Sequence, residues 1–350
     1  MNSPTPAQLG YWMPAEWHRH AATWLSWPKD PETWPNRVSQ VEEIFLRMMA
    51  ALAPQEVVNL LVDDLATEAA VRRRCGFPFA DNVHFHCIVS VDSWIRDYGP
   101  NFLVSDKGSF AYNDWVFNAW GNKYEELKRD DAIPARLESV LNARRFEPGI
   151  VLEGGSIDVN GEGVVLTTEQ CLLNPNRNPE LSRAQIEQYL KEFLGAEKVL
   201  WLGEGIVGDD TDGHVDDLAR FVSANTIVAA IEDDPADPNY EILQDNLKRL
   251  HGMSDATGRP FEIVTLPMPG IVTGANTGSR NLDRLPASYA NFYIANNVVL
   301  SPVFGHANDA RALKTLQAVF SDRQVIGINC EPMVWGMGTI HCATQQQPET

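Results

Sequence analysis

The chain has 350 residues, of which 44% are hydrophobic and 21% are charged, and it includes 10 tryptophans. This composition supplies a large apolar core and excludes an intrinsically disordered chain. The formal net charge of −19 argues against nucleic acid and anionic membranes as partners, because both bind basic surfaces, and it favours a cationic small molecule.

Two further features concern the compartment. No long apolar stretch occurs, and the N-terminus lacks a basic region followed by an apolar one, so neither a membrane span nor a signal peptide is expected. The cysteines stand at positions 75, 87, 171, 330 and 342, an odd number without CxxC spacing. That pattern favours a reducing compartment over a disulfide framework, and the cytoplasm is the expected location.

The chain repeats one order of predicted elements, a β-hairpin followed by a helix and then a buried strand. Each hairpin has two apolar or alternating runs around a turn rich in Gly, Asn, Asp or Ser. The hairpins are predicted at 100–114, 156–169, 218–232 and 291–303.

A helix with apolar residues three and four positions apart follows each hairpin, and a strand follows each helix. The helices are predicted at 130–145, 181–195, 237–252 and 306–320. The strands are predicted at 149–155, 198–205, 261–267 and 324–330. The repeating unit is therefore ββαβ.

The two ends of the chain predict a fifth unit that is split between them. Its segments are 21–28 and 338–346 for the paired strands, 38–52 for the helix and 57–62 for the next strand, with an extra helix near 64–74 and an extra strand near 83–89. Five such units around an axis would close by pairing the N- and C-terminal strands, which leaves only short sheet edges. The repeat therefore indicates an α/β ring of five units in a single domain over residues 1–350.

Polar residues at the starts of the hairpins would converge on the axis of such a ring. They are Asp97, Glu153, His214, Asp216 and Cys342. His214 and Asp216 are two residues apart, so their side chains share one face of an extended chain. By the same rule the residue before Cys342, His341, points away from it, and a distant histidine must serve Cys342.

The segment 208–222 contains five aspartates around His214, and three interpretations of it compete: a metal-ion loop, a solvated acidic turn and a cation pocket. An EF-hand is excluded because, with Gly213 as its glycine, the first and twelfth positions are Gly208 and Ala219. A transition-metal site lacks a nearby second histidine and a cysteine pair. We therefore expect no metal and no cofactor. The thiol, imidazole and three carboxylates that remain suit nucleophilic attack on a planar guanidinium.

The sequence resembles the agmatine deiminases and, more broadly, the guanidine-modifying pentein superfamily, which also contains arginine and peptidylarginine deiminases. The similarity extends over nearly the whole chain. The matching segments are "MPAEWHRHAATWLSWP", "DSWIRDYGPNF", "FNAWGNKY", "EGGSIDVNGEG", "LTTEQCLLNPNRNP", "GHVDDL", "SYANFYIAN" and "GTIHCATQQQP".

The resemblance implies a five-bladed α/β propeller in which Cys342 is the nucleophile and His214 is the general acid and base. Glu153 would orient and charge His214, and Asp97 and Asp216 would hold the guanidinium. The sixth site residue, Trp94, would form a wall against which the planar cation or its chain stacks.

The implied reaction is the hydrolysis of agmatine to N-carbamoylputrescine and ammonia through a covalent thiouronium on Cys342, a step in putrescine and polyamine biosynthesis. Deimination of free or peptide-bound arginine to citrulline is one alternative, and a non-catalytic binding module on the same fold is another. The expected partner is a small cationic guanidine, with no nucleic acid or membrane, and a homodimer is an allowed assembly.

The chain departs from the agmatine deiminase pattern at the rim of the expected site. Asp212 stands where Asn is common, and Met337 and Thr339 stand where a glycine and then Asn or Gly are common. These changes concern the rim, where the amine tail of the substrate would lie, and leave the thiol, imidazole and carboxylates intact. His18 and His20 would border the site or cap the first strand. The cysteines other than Cys342 are expected to be structural.

Overall fold

The computed structural model describes residues 4–274 and 284–350. In these ranges the strands form five sheets, each with three or four strands. Every sheet contains at least one antiparallel pair and one parallel pair. The chain is therefore an α/β protein with mixed sheets.

All four predicted hairpins are confirmed as antiparallel pairs. Their strands are Asn101–Ser105 with Ser109–Asn113, Asp158–Val159 with Val164–Thr168, Ala219–Ser223 with Thr226–Ile231, and Tyr293–Ile294 with Val298–Val303. A further strand, Tyr11–Trp12, pairs antiparallel with Asn101–Ser105. Two of the first strands, Asp158–Val159 and Tyr293–Ile294, have only two residues, and Tyr11–Trp12 covers part of the edge of a third, so little sheet edge is exposed at these hairpins.

Three of the four helices that follow the hairpins are also confirmed, at Arg183–Leu194, Asn239–His251 and Asp309–Val319. The continuous helix predicted over 130–145 is wrong. That segment forms three short helical turns, Glu126–Ala132, Ile133–Arg136 and Glu138–Leu141. Pro134 lacks the N–H that a continuous helix would need at that point, and Asn142 ends the last turn in a left-handed conformation with φ of 47°.

Parallel strands follow the helices at Lys198–Leu202, Glu262–Pro267 and Gln324–Asn329, as predicted. The strand predicted over 149–155 is wrong, because the parallel partner of Ser109–Asn113 is Arg144–Phe146, and only Val151 of the predicted segment makes an isolated bridge. Pro148 cannot donate to a ladder and Gly149 has a φ of 77°, so the chain turns there and then leads directly to Glu153.

The N- and C-terminal strands pair, as the split unit predicted: His20–Ser26 lies antiparallel to Gln345–Pro348. The same sheet continues through parallel strands at Val57–Val62 and Val83–Cys87, and its helices are Val38–Leu52 and Leu65–Arg74. The C-terminal strand begins at Gln345 rather than near 338. Residues 338–344, which include Cys342, form a turn instead.

The helices pack on the sheets through apolar residues at helical spacing. In Val38–Leu52, for example, Val41, Phe45, Met48 and Leu52 are fully buried. Burial of each such side chain contributes about 1.5–3 kcal/mol.

None of the helices in the described ranges is long and apolar enough to span a bilayer.

Short helical turns complete the described structure. They are Ala7–Leu9, Ala80–Asn82, Ile95–Tyr98, Ala119–Asn122, Gly154–Ser156, Glu169–Leu172, Val215–Asp217 and Val334–Gly336. Three of them, Ile95–Tyr98, Gly154–Ser156 and Val215–Asp217, lie immediately before the first strand of a hairpin, and the second contacts the other two. The fold therefore brings the polar residues at the hairpin starts into one place.

Candidate functional site

Three of the candidate residues meet over a single glycine. A Cβ atom added to Gly155 would lie 2.7 Å from His214 Nδ1, 2.8 Å from Asp97 Oδ1 and 3.0 Å from Asp216 Oδ2. His214 Nδ1 itself lies 3.8 Å from Asp97 Oδ1. Only a glycine lets the backbone approach the three side chains so closely. The local "EGGS" sequence is thus explained by the packing of the site.

The Cys342 thiol lies beside the same cluster. Its Sγ is 3.7 Å from Asp216 Oδ2 and 3.2 Å from the side-chain nitrogen of Asn291. A Cβ atom on Gly338 would lie 3.2 Å from Cys342 Sγ and 2.9 Å from the ring of Trp94. The structure therefore brings the thiol, Trp94 and the carboxylates of Asp97 and Asp216 together.

A pocket opens above the thiol. Its empty volume, counted to the open mouth, is about 420 Å³. Trp94, Trp120 and Tyr124 provide aromatic walls, while Asp97 and Cys342 lie among the lining residues. His214 is 1% exposed and does not line the pocket. The cavity is thus narrow, partly aromatic and acidic, which suits a slender cation.

Asp97 is fixed by two donors. Its Oδ1 accepts a hydrogen bond from the Gly155 N–H and its Oδ2 accepts one from Trp120 Nε1, both at 2.9 Å. Burial raises the pKa of Asp97 above its ordinary value, against the opposing effect of the nearby His214. A cation that enters the pocket would favour the ionised form of this carboxyl.

His214 is buried without a hydrogen bond to either ring nitrogen from the described residues. Burial alone would lower its pKa, but Asp97, Cys171 and Asp216 outweigh that effect and raise the pKa well above the ordinary histidine value. This raised pKa favours the protonated imidazole, which can give its proton to a leaving group.

Burial raises the pKa of the Cys342 thiol well above its ordinary value, and the charges of Asp216, Asp217 and Asp97 raise it further. The neighbours of this thiol thus oppose its ionisation in the free protein. A cation that neutralises the aspartates would have the opposite effect, because an adjacent positive charge favours a thiolate.

Glu153 lies close to His214 but forms no hydrogen bond with it. Its Oε1 accepts a hydrogen bond of 2.7 Å from Arg177 Nε, and its Oε2 has no hydrogen-bond partner among the described residues. A carboxylate oxygen of Glu153, the sulfur of Cys171 and a ring nitrogen of His214 lie within 4.8 Å of one another. The expected contact between Glu153 and His214 is therefore an approach within 4.8 Å and not a hydrogen bond.

The same three groups are the one set in the described ranges with donor types and spacing suited to a metal ion. Arg177 makes an ion pair with Glu153, and both side chains are 0% exposed. A fixed guanidinium charge beside the carboxylate opposes the binding of a second cation there. The arrangement thus fits the guanidinium of Arg177 better than a metal ion. Cys171, expected to be merely structural, lies against the site.

Four further residues support the cluster. Asn291 donates to the Cys342 sulfur and accepts from the His341 N–H at 3.0 Å. His341 Nδ1 lies 2.7 Å from Asp216 Oδ2, and its Nε2 lies 2.8 Å from Glu16 Oε2. The fourth is Arg177. The sequence patterns did not single out these residues for the site, although each lies in a segment that carries the family resemblance.

The three departures from the family pattern have structural explanations. Asp212 and Met337 have positive φ angles of 65° and 72°, a conformation that favours Asn or Gly. Asp212 Oδ2 accepts from Arg177 Nη1 at 2.5 Å, and its Oδ1 accepts from Lys123 Nζ at 2.9 Å. Thr339 donates to Asn291 at 2.7 Å. Asp212 and Thr339 thus make polar contacts of their own, while Met337 takes a left-handed backbone conformation.

His18 and His20 are tied to other parts of the molecule. His18 Nε2 lies 3.1 Å from the backbone oxygen of Glu349, near the terminal strand pair. His20 is buried, with Nδ1 3.2 Å from Glu56 and Nε2 2.7 Å from the backbone oxygen of Glu16. Neither side chain lines the pocket.

Comparisons with known proteins agree over the full length. Residues 12–348 match the family described as Porphyromonas-type peptidyl-arginine deiminase. The agmatine deiminase of Ectopseudomonas mendocina is 38% identical, with 98% of this chain and 97% of that protein covered, and that of Stutzerimonas stutzeri is also 38% identical.

Solved structures give the same result. The agmatine deiminase of Enterococcus faecalis superimposes with a TM-score of 0.93 at 36% identity, covering 100% of this chain and 99% of that one. A C. jejuni agmatine deiminase, solved as a cysteine-to-serine variant with substrate bound, superimposes with a TM-score of 0.86 at 32% identity over 96% of each chain. The chain therefore belongs to the Porphyromonas-type peptidyl-arginine deiminase family and aligns from end to end with agmatine deiminases.

Proposed function

We propose that this protein is an agmatine deiminase that hydrolyses agmatine to N-carbamoylputrescine and ammonia. The observation that supports this most strongly is the acidic, aromatic pocket lined by Cys342 and Asp97, with the buried Asp216 3.7 Å from the thiol sulfur. A guanidinium presents N–H donors in a planar fork, which two carboxylates bind through charge-assisted hydrogen bonds. Its carbon would then face the sulfur, with Trp94 against the flat cation or its chain.

The proposed reaction begins when the substrate cation enters and offsets the aspartates around Cys342. The thiol then gives its proton to bulk water, from which Cys342 regains a proton when the product leaves, and the thiolate sulfur adds to the guanidinium carbon. His214 gives its proton to the departing nitrogen, so the C–N bond breaks and ammonia leaves. A positively charged thiouronium remains on Cys342.

Hydrolysis completes the cycle. His214, now neutral, takes a proton from water as the oxygen attacks the thiouronium carbon. The C–S bond breaks, the thiolate is released and N-carbamoylputrescine leaves, while the surplus proton converts ammonia to ammonium. We assign Glu153 the role of keeping His214 charged and oriented, since its unpartnered oxygen is available to that ring.

We also infer that the five sheets are the blades of one five-bladed α/β propeller, which forms a single domain over residues 1–350. The number of sheets and the pairing of His20–Ser26 with Gln345–Pro348 support this arrangement. The site then lies where the hairpin starts meet, at the axis.

The substrate preference follows from the charges near the pocket. Free arginine would bring a carboxylate, and an unpaired buried carboxylate costs several kcal/mol. Neither Arg nor Lys is among the pocket-lining residues of the described ranges. The cations near the site are paired with protein carboxylates: Arg220 with Asp158 and Glu16, Arg96 with Glu16, and Lys123 at the rim with Asp210 and Asp212. The site therefore favours a substrate without that carboxylate.

We expect kcat/KM for agmatine to exceed that for arginine by at least about 100-fold, which corresponds to about 2.7 kcal/mol of differential transition-state binding. The test is a steady-state comparison of agmatine, arginine and a blocked peptidylarginine, with N-carbamoylputrescine and citrulline identified as products. Equal or better turnover of either arginine substrate would mean that the enzyme is an arginine or peptidylarginine deiminase instead.

The free state of all five cysteines supports a reducing compartment. We therefore place the enzyme in the cytoplasm, where its product would enter putrescine and polyamine biosynthesis. A homodimer is the proposed assembly, and sedimentation velocity at several protein concentrations tests it.

A further inference from the structure

His341 connects two buried carboxylates behind the pocket. Its Nδ1 lies 2.7 Å from Asp216 Oδ2 and its Nε2 lies 2.8 Å from Glu16 Oε2. The imidazole is 2% exposed, and the carboxylate side chains of Asp216 and Glu16 are 0% and 7% exposed. Water therefore has little access to this chain of contacts, and the groups in it must satisfy one another.

The Glu16 carboxylate, on one side of His341, is held as an anion. Glu16 Oε1 lies 2.8 Å from Arg220 Nη2, its Oε2 lies 3.3 Å from Arg96 Nη2, and its Oε1 also accepts from the Ile294 N–H at 2.8 Å. Burial opposes ionisation of Glu16, but Arg220, His341 and Arg96 outweigh it and hold the pKa well below its ordinary value.

The Asp216 carboxylate, on the other side of His341, is also held as an anion. Burial opposes its ionisation, but the hydrogen bond and charge of His341, together with His214 and Arg220, keep the pKa of Asp216 below its ordinary value. An ionised carboxylate only accepts hydrogen bonds. Both ring nitrogens of His341 lie within hydrogen-bond distance of a carboxylate oxygen, and only an imidazolium has an N–H group to donate to each.

We propose that His341 is a positioning residue, a buried imidazolium that keeps Asp216 ionised and oriented for the guanidinium of the substrate. Asp216 Oδ2 faces His341, whereas Asp216 Oδ1 has no hydrogen-bond partner among the described residues. One oxygen is thus fixed and the other is left for the substrate. The guanidinium-binding part of this inference rests on the proposed function.

The contact also explains how Asp216 stays ionised while buried. The charged groups that face Asp216 are His341, His214 and Arg220 on the positive side and Asp217, Asp97 and the Cys342 thiol on the other. His341 is the positive group in direct hydrogen-bond contact with Asp216. Its loss would raise the pKa of Asp216, because the carboxylate would keep its burial and lose its nearest opposite charge.

The test compares His341→Asn, which keeps a neutral donor, with the wild type over a range of pH. For agmatine we expect KM to rise at least about tenfold with a smaller change in kcat, because Asp216 contacts the guanidinium before and during the reaction. The acidic limb of the kcat/KM profile should move to higher pH by about one unit or more, since activity is lost as the pH falls through the raised pKa of Asp216.

His20→Asn is the matched control, because His20 is a buried histidine that also faces a carboxylate, Glu56, away from the pocket. It should lower the melting temperature without moving KM or the acidic limb. A purely structural role for His341 predicts the same pattern for His341→Asn, and that result would overturn the proposal.

A measurement on the ring itself separates this proposal from the proposed function. In protein labelled with ¹⁵N histidine, the His341 resonances, assigned by their loss in His341→Asn, should show both ring nitrogens protonated at neutral pH. A single neutral tautomer would overturn the proposal even if agmatine is turned over. If the wild type fails on agmatine, the proposed function falls, while the ¹⁵N spectrum still decides the charge of His341.

Discussion

The buried ion pair between Arg177 and Glu153 leads to a prediction about stability. Arg177 Nε lies 2.7 Å from Glu153 Oε1 and its Nη1 lies 2.5 Å from Asp212 Oδ2. Nη1 also donates to Asn176 at 2.7 Å, and Nη2 donates to the backbone oxygen of Thr211 at 2.8 Å. The guanidinium thus compensates a fully buried carboxylate next to His214.

Replacement of Arg177 by Met keeps much of the apolar stem but leaves Glu153 without its counter-charge. Breaking a buried pair by removal of one partner costs about 3–5 kcal/mol, because the remaining charge stays buried. In the double variant Arg177→Met with Glu153→Gln that charge is gone. We therefore expect the double variant to recover about 2–3 kcal/mol relative to Arg177→Met alone, a coupling of the size seen for residues in direct contact.

The assay is urea unfolding followed by tryptophan fluorescence, with m values compared so that a change in midpoint reports stability alone. Arg183→Met is the control. Arg183 is 46% exposed and pairs with Glu169 at 2.9 Å, so its loss should cost less than about 1 kcal/mol. An Arg177→Met protein as stable as this control, or a double variant no more stable than Arg177→Met, would refute the electrostatic reasoning.

Three further predictions concern the site. Gly155→Ala should lower kcat/KM for agmatine by at least about 100-fold, because the new Cβ atom would collide with His214 and Asp97. The control is Gly76→Ala, where the new Cβ atom would lie in open space and activity should be unchanged. Equal activity of the two variants would contradict the packing. The rate at which iodoacetamide inactivates the free enzyme should still increase above about pH 9, because burial and the aspartates raise the pKa of Cys342. Alkylation of the exposed Cys87, followed by peptide mass spectrometry, gives a reference rate. An inactivation rate that levels off below that pH would contradict the raised pKa. Dialysis against EDTA should leave activity unchanged because Arg177 already pairs with Glu153, and a loss of activity restored by Zn²⁺ or Mn²⁺ would show that a metal uses this cluster.

Local patterns predicted the hairpins and the residues at their starts. Alternating apolar residues and turn residues such as Gly161 and Gly163 are local signals, so the four hairpins could be placed from sequence alone. The errors arose where a local signal was ambiguous. The apolar run of 149–155 looks like a buried strand, but Pro148 and Gly149 turn the chain before it.

The supporting residues of the site were not predicted because their contacts join distant parts of the chain. Glu16 and His341 are 325 positions apart, and Asn291 reaches Cys342 across 51 positions. Neither periodicity nor spacing reports such pairs.

The alternation of side chains along an extended chain does not hold at His341 and Cys342. Residues 338–344 form a turn rather than extended chain, and His341 reaches the site from behind Asp216. Its position could be known only after the C-terminal turn had been placed against the segment that carries Asp216.

The central claim, covalent deimination of agmatine at Cys342, is tested most directly by acid quenching of the wild-type enzyme during turnover and by peptide mass spectrometry. The account predicts an adduct on the Cys342 peptide with the mass of agmatine less one ammonia. No such adduct should form in Cys342→Ser, which should also release no measurable ammonia. Ammonia release by Cys342→Ser at near the wild-type rate, or an adduct on a different residue, would contradict the account.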